Sequence, residues 1–274
     1  MTDKLDLEAY FRRIGFEGTA GPSLETLRAL HVLHPHAISF ENLDPFLGRA
    51  VQLEPLTLQQ KLVGSRRGGY CFEHNLLFKQ VLEQMGFQVT GLAARVLMNR
   101  PEGAITPRGH MLSRVTLGGE DWLVDVGFGG LTQTAPLRLQ PGIEQETPHG
   151  PFRVTTKDDD FMVEAFAGGA WRALYRFDLQ HQHDVDYIAS NYFLSASPDS
   201  HFRTTLILAR ALPDRRYALR NNQLSIHHLG RASEHRRFVS ANELADAVDE
   251  LFDLELPDRT AFLGRVGELR ICNA

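Results

Sequence analysis

Cys71 stands in the run Arg66-Arg-Gly-Gly-Tyr-Cys-Phe-Glu-His-Asn75. Two glycines precede a segment of helical apolar spacing, so the spacing predicts Cys71 on the first turn of a helix. Unpaired N–H groups and the positive end of a helix dipole stabilise a thiolate there. The same position also suits a buried structural cysteine below a glycine turn. A nucleophilic thiolate needs a base, and the base needs a group that orients it. His110 is the histidine with a carboxylate in reach. Met111–Leu117 and Glu120–Val126 flank Gly118-Gly119, a two-residue hairpin signal. That turn pairs Leu117 with Glu120 and sets Asp125 opposite Leu112. His110 then lies two positions along on the same face, a diagonal neighbour of Asp125. The alternative is a surface hairpin with an incidental Asp. Taken together, Cys71, His110 and Asp125 have the logic of a thiolate–imidazolium pair held by a third group.

The other candidates carry less chemistry. The pairs His34/His36, His181/His183 and His227/His228 have no Cys or carboxylate at metal-site spacing and read as surface or ordinary packing. No metal is expected. Gly127-Phe-Gly-Gly130 lacks the Rossmann spacing, and no P-loop or GxSxG run occurs. The only other cysteine is Cys272, so a disulfide framework is excluded and the reducing cytoplasm is the expected compartment.

The elements that position these residues are legible in outline. The chain has 274 residues, 43% hydrophobic and 23% charged, with a formal charge of −5. This is globular composition, large enough for a substantial core and without the basic surplus of a nucleic-acid binder. No apolar run reaches the length of a membrane span. The start, MTDKLDLEAYFRR, is charged and amphipathic and lacks the apolar stretch of a signal peptide. Up to Gly86 the pattern is helical: a stripe at Leu7, Tyr10, Phe11 and Ile14, a Ser23-capped helix, and a helix from Phe72 to Met85. A capping box at Thr57-Leu-Gln-Gln60 predicts a short helix ending at Gly64. Short strands follow near 87–98, 110–117, 121–127, 151–157, 160–167 and 171–177, a succession that suggests a barrel. A helix over 184–194, four further strands between 204 and 239, and helices after Ser240 and Asp258 complete the layout.

The motifs together resemble a known family. Arg67-Gly-Gly-Tyr-Cys-Phe-Glu73, His110 and Asp125-Val-Gly-Phe-Gly129 resemble the bacterial arylamine N-acetyltransferases. So do Ser39-Phe-Glu-Asn-Leu43 and Asn191-Tyr-Phe-Leu-Ser-Ala-Ser-Pro-Asp-Ser-His-Phe202, in the right order over residues 39 to 202. The resemblance implies an α+β fold: a helical N-terminal bundle over 1–86 with the nucleophilic Cys71, a central β-barrel over 87–199 with His110 and Asp125, and a C-terminal α/β lid over 200–274. It implies a papain-like catalytic triad of Cys71, His110 and Asp125 and an aromatic acceptor pocket at Phe40, Phe128 and Phe202, with Val96 nearby. Gly127 and Gly129 are implied contacts for coenzyme A, and Arg67 with Glu41 an ion pair supporting the Cys71 loop. The implied reaction passes an acetyl group from acetyl-coenzyme A through Cys71 to an arylamine, hydrazine or arylhydroxylamine, with no nucleic acid, membrane or metal partner. One departure is visible. Many members have Thr before the histidine, whereas here the run is Pro107-Arg-Gly-His-Met111, and Gly109 supplies no hydroxyl. Arg108 is an alternative phosphate contact. A Cys-dependent amide hydrolase, an amide synthase of the same family and a non-catalytic binding protein are the competing readings.

Overall fold

A computed structural model describes residues 4–272. Its first part is helical. Helix α1 (Leu7–Ile14) is capped by Asp6, whose Oδ1 accepts the Ala9 N–H at 2.9 Å. Helix α2 (Leu24–Ala37) starts at Ser23 and runs through Pro35. A two-residue strand, β1 (Phe40–Glu41), precedes α3 (Leu43–Phe46). The next helix, α4 (Pro55–Gln59), begins two residues before the expected cap. Proline at its first position is pre-set for the helix, so Glu54 is the boundary and Thr57 lies inside. It passes into a π-helical turn over Gln60–Gly64. Helix α5 (Cys71–Gln84) is buried along most of its length, from Cys71 through Leu82.

Eight antiparallel strands follow: β2 (Gln88–Val96), β3 (His110–Leu117), β4 (Glu120–Val124), β5 (Leu137–Arg138), β6 (Glu144–Thr147), β7 (Gly150–Lys157), β8 (Asp160–Ala167) and β9 (Ala170–Phe177). Their order in the sheet is β5-β4-β3-β2-β9-β8-β7-β6, which curls into a nearly closed barrel. The β3–β4 hairpin has the predicted register, with Leu117 opposite Glu120 and Ser113 opposite Val124. Strand β4 ends earlier than expected. The Asp125 and Val126 N–H groups leave the ladder and donate instead to His31 Nε2 and Asn75 Oδ1.

Helix α6 (Tyr187–Ala196) leads to a second sheet built from β10 (Ile207–Leu212), β11 (Arg215–Arg220), β12 (Gln223–His228) and β13 (Glu234–Arg237). Strand β1 pairs with β10 at its edge, so the order is β1-β10-β11-β12-β13. Helices α7 (Ala241–Phe252) and α8 (Arg259–Glu268) begin at Ser240 and Asp258, the expected caps. They cover one face of this sheet with Leu244, Val248, Phe252 and Phe262. A second core fills the barrel around Leu92, Leu112, Phe152 and Tyr175. A third joins α1, α2 and α5 to the outside of β3 and β4 through Leu27, Phe78, Val115 and Trp122. Each such fully buried apolar side chain contributes about 1.5–3 kcal/mol. That third core fixes the start of α5 against the end of β4, where the candidate residues meet. No helix among the described residues is long and apolar enough to cross a membrane.

Candidate active site

Cys71 is the first residue of α5, where backbone N–H groups have no partner within the helix. Its approach is held by close packing. A side chain on Gly68 would place Cβ 2.0 Å from the Ser39 carbonyl oxygen, so only glycine fits beside β1. The Gly69 carbonyl accepts the Glu41 N–H at 2.8 Å, adding the loop to the edge of β1. The Tyr70 N–H donates to Glu73 Oε2 at 3.0 Å, the return half of a capping box. Tyr70 itself donates from its hydroxyl to the Asn191 side chain of α6.

The three residues brought together by the sequence argument are together in space. His110 Nε2 lies 2.7 Å from Asp125 Oδ2. The imidazole's other nitrogen, Nδ1, is left for Cys71, whose Sγ stands 3.7 Å from the carbonyl oxygen of Gly109, the residue before His110. Asp125 is fully buried and accepts three hydrogen bonds: from His110, from Asn75 Nδ2 at 2.9 Å and from the Gly127 N–H at 3.0 Å. Burial alone would push this carboxyl up, but the His110 charge and these donors bring it below its ordinary value. Burial likewise opposes a charge on His110, yet the Asp125 carboxylate, with Cys71 adding to it, pushes the imidazole up to about 10. The surroundings therefore favour the protonated ring.

Aromatic walls surround this centre. Phe128 meets His110 edge to face at 5.2 Å, and Tyr175 packs on the same imidazole at 4.9 Å. Val96 pairs with Tyr175 across β2 and β9 and packs in the same cluster as Phe128. Phe40 and Phe202 meet edge to face at 6.4 Å, and Phe202 also contacts Tyr70 at 5.5 Å. Gly129 links the two sets, since a Cβ there would sit 3.5 Å from the Phe40 ring. Gly127 is buried, with Cys71 Cα, Asn75 Nδ2 and His74 Cβ each 3.0 Å from where a Cβ would stand. Arg108 is engaged in an ion pair with Asp178.

Arg67 and Glu41 are paired as expected, with Nε and Nη2 donating to Oε1 at 3.0 and 2.7 Å. The pair belongs to a larger network that sequence reasoning missed. Asp44 Oδ2 lies 3.2 Å from Arg67 Nη2 and 2.5 Å from Lys61 Nζ, and Lys61 reaches Glu73 at 2.6 Å. Asn75 and Tyr175 were missed too. Asn75 had a signal, since it stands one helical turn after Cys71 and shares its face. Tyr175 had none, because the β2–β9 pairing is non-local. Among the described residues no group of three or more metal-ligating side chains gathers.

A family model described as N-acetyltransferase matches residues 23–261. The chain belongs to the arylamine N-acetyltransferase family. It is 42% identical to the arylamine N-acetyltransferase of Escherichia coli K12 over 253 residues, covering 92% of this chain and 90% of that one. The arylamine N-acetyltransferase of Mycolicibacterium smegmatis is 43% identical over 258 residues, with 93% and 94% covered. A solved arylamine N-acetyltransferase from Mycobacterium marinum in complex with CoA superposes with a TM-score of 0.93 at 38% identity, covering 97% of this chain and all of that one. The arylamine N-acetyltransferase fold thus accounts for the helices, the barrel and the second sheet in one arrangement.

Proposed function

We propose that this protein moves an acetyl group from acetyl-coenzyme A to an arylamine, hydrazine or arylhydroxylamine by a ping-pong route through Cys71. The observation that carries the reading is Cys71 at the start of α5 beside a His110 ring that Asp125 holds by its far nitrogen. In the first half-reaction the Cys71 thiolate attacks the thioester carbonyl. N–H groups at the start of α5 receive the developing oxyanion, an interaction worth roughly 3–4 kcal/mol per donor in other enzymes. The carbon–sulfur bond to coenzyme A breaks, and the His110 cation gives its proton to the departing thiolate. In the second half-reaction the neutral imidazole takes a proton from the attacking acceptor. The thioester to Cys71 breaks, and the thiolate–imidazolium pair is restored.

Phe40, Phe128, Phe202 and Val96 would align a flat acceptor and keep water from the thioester. The half-buried position of Gly129 beside Phe40 favours it over the enclosed Gly127 for contact with coenzyme A. Arg67 and Glu41, with Asp44, Lys61 and Glu73, act by holding the start of α5.

The test is intact-protein mass after mixing with acetyl-coenzyme A in the absence of amine, followed by peptide mapping. One acetyl group on Cys71, discharged by an added arylamine and absent in Cys71→Ala, is the expected result. Turnover by Cys71→Ala would refute the assignment. Rapid loss of the acetyl group to water would favour a hydrolase instead.

A further inference from the structure

Arg216 lies on β11, on the face turned away from α7 and α8. Its neighbours Tyr217 and Leu219 pack against those helices, whereas Arg216, Ala218 and Arg220 alternate to the other side. Ala218 on that side lies 3.7 Å from where a Cβ on Gly130 would stand, so this face meets the glycine loop that follows Asp125. Arg216 is one strand repeat further along. It is only 5% exposed. Among the described residues its guanidinium forms no ion pair and no hydrogen bond, while its neighbour Arg215 is paired with Asp214 and Arg210 with Asp253. The side chain is thus almost enclosed but not sealed from solvent.

Three parts of the molecule converge there. His36 comes from the end of α2, and its buried Nε2 also has no partner. His149 comes from the β6–β7 turn, with its ring 5.9 Å from that of His36 and its Nε2 donating to the Leu212 carbonyl at 2.7 Å. His227 stands opposite Arg216 on β12. Burial lowers His36 and His149, and the positive Arg216 lowers each further. Burial lowers Arg216 from its ordinary value, and among the described residues no carboxylate compensates it. A buried cation without a partner is costly, and proteins keep such groups paired. Guanidinium forks match phosphate oxygens.

We propose that Arg216, with the unpartnered His36 beside it, forms an anion site between the second sheet and the barrel that takes a phosphate group. The phosphate comes either from the coenzyme A of the acetyl donor or from free inorganic phosphate. The first source rests on the transfer reading above; binding of the group itself does not.

The experiment is thermal melting of the wild type, Arg216→Met and Arg216→Lys, titrated separately with inorganic phosphate and with adenosine 3′,5′-bisphosphate. It is joined to the ratio of kcat/KM for acetyl-coenzyme A over that for a phosphate-free acetyl thioester. The expected result is a saturable rise in wild-type melting temperature that Arg216→Met loses and Arg216→Lys partly keeps. With coenzyme A as the source, the ratio falls about tenfold or more in Arg216→Met, as removal of a charge-assisted bond requires. An Arg216-dependent response to inorganic phosphate with an unchanged ratio assigns the site to free phosphate. A wild type that responds to neither probe, or an Arg216→Met protein that responds like the wild type, overturns the proposal. Should Arg216→Met not fold, the wild-type titration and Arg216→Lys carry the comparison. Absence of acetyl transfer from any donor would refute the transfer reading while leaving the melting result to be read alone.

Discussion

Replacing Asp125 by Asn removes a charge with little change of shape, and the hydrogen bonds around it dictate the outcome. Oδ1 of Asp125 accepts from Asn75 and from the Gly127 N–H, so it must stay an acceptor. The new amide nitrogen then takes the place of Oδ2 and faces His110 Nε2. A donor there forces Nε2 to accept, which moves the ring proton to Nδ1, the nitrogen left for Cys71. His110 becomes neutral and in the wrong tautomer to receive a proton from the thiol, the outcome known for the equivalent change in a serine triad. The magnitude follows from the imidazole being pushed up to about 10 from 6.5, a preference for the cation of roughly 5 kcal/mol, most of it owed to the carboxylate. We expect Asp125→Asn to slow acylation by acetyl-coenzyme A by about 10³-fold at pH 7. The assay is stopped-flow acylation, with iodoacetamide alkylation of Cys71 across pH as the second readout. Alkylation at pH 7 is expected to be slower in the variant than in the wild type. Stability has a matching sign. A raised histidine stabilises the fold below its unfolded value, and that contribution disappears as pH rises through about 10. A variant that keeps the wild-type rates and pH profile would refute the reasoning.

Two further perturbations test the support around this centre. Asn75→Ala leaves the Met111 carbonyl, the Val126 N–H and one acceptor position on Asp125 unpaired in a buried site, at about 1–3 kcal/mol each. Urea denaturation should show a loss of several kcal/mol, and an unchanged midpoint would count against the assigned bonds. His31 and His74 are fully buried and held at about 4, chiefly by burial. Their unfolded forms take up protons below about 6.5, so stability is whole above that pH and falls towards 4. The expected loss is about 2 kcal/mol for each at pH 5. A denaturation midpoint that is flat between pH 7 and pH 5 would show that these rings are not held neutral.

What the sequence revealed and what it hid divide by distance along the chain. Asp125 could be placed beside His110 because a Gly-Gly turn fixes register over a few residues, and the hairpin has that register. The caps at Ser23, Ser240 and Asp258 were equally local. Strands β5 and β6, of two and four residues, are too short to show a period. The capping box at Thr57 was overridden by Pro55, a local conflict that two comparable signals could not settle. His34 was assigned to surface or ordinary packing from its neighbour His36. It is buried, and it links Tyr10 to His74 through bonds of 2.8 Å across 24 and 40 residues, a pattern no spacing rule reaches. Asp44, Lys61 and Glu73 were invisible for the same reason, although Glu73 lies two residues from Cys71.

That hidden network bears on the nucleophile. Glu41, Asp44 and Glu73 share two cations, Lys61 and Arg67, beneath the start of α5. One negative charge is left over, and burial of Glu73, helped by Glu41 and Asp44 against the pull of Lys61, pushes its carboxyl up to about 7. Both its oxygens nevertheless accept from N–H donors, on Lys61 and on the Tyr70 backbone, so the geometry is built for the carboxylate. Removing Lys61 would therefore leave three carboxylates, two of them buried, on one arginine, and Glu73 would take a proton. The cap on Tyr70 would then loosen while the His110–Asp125 pair stayed intact. The two halves of the site are in this sense separable: the hairpin sets the charge on the imidazole, and the buried ion network sets where the sulfur stands.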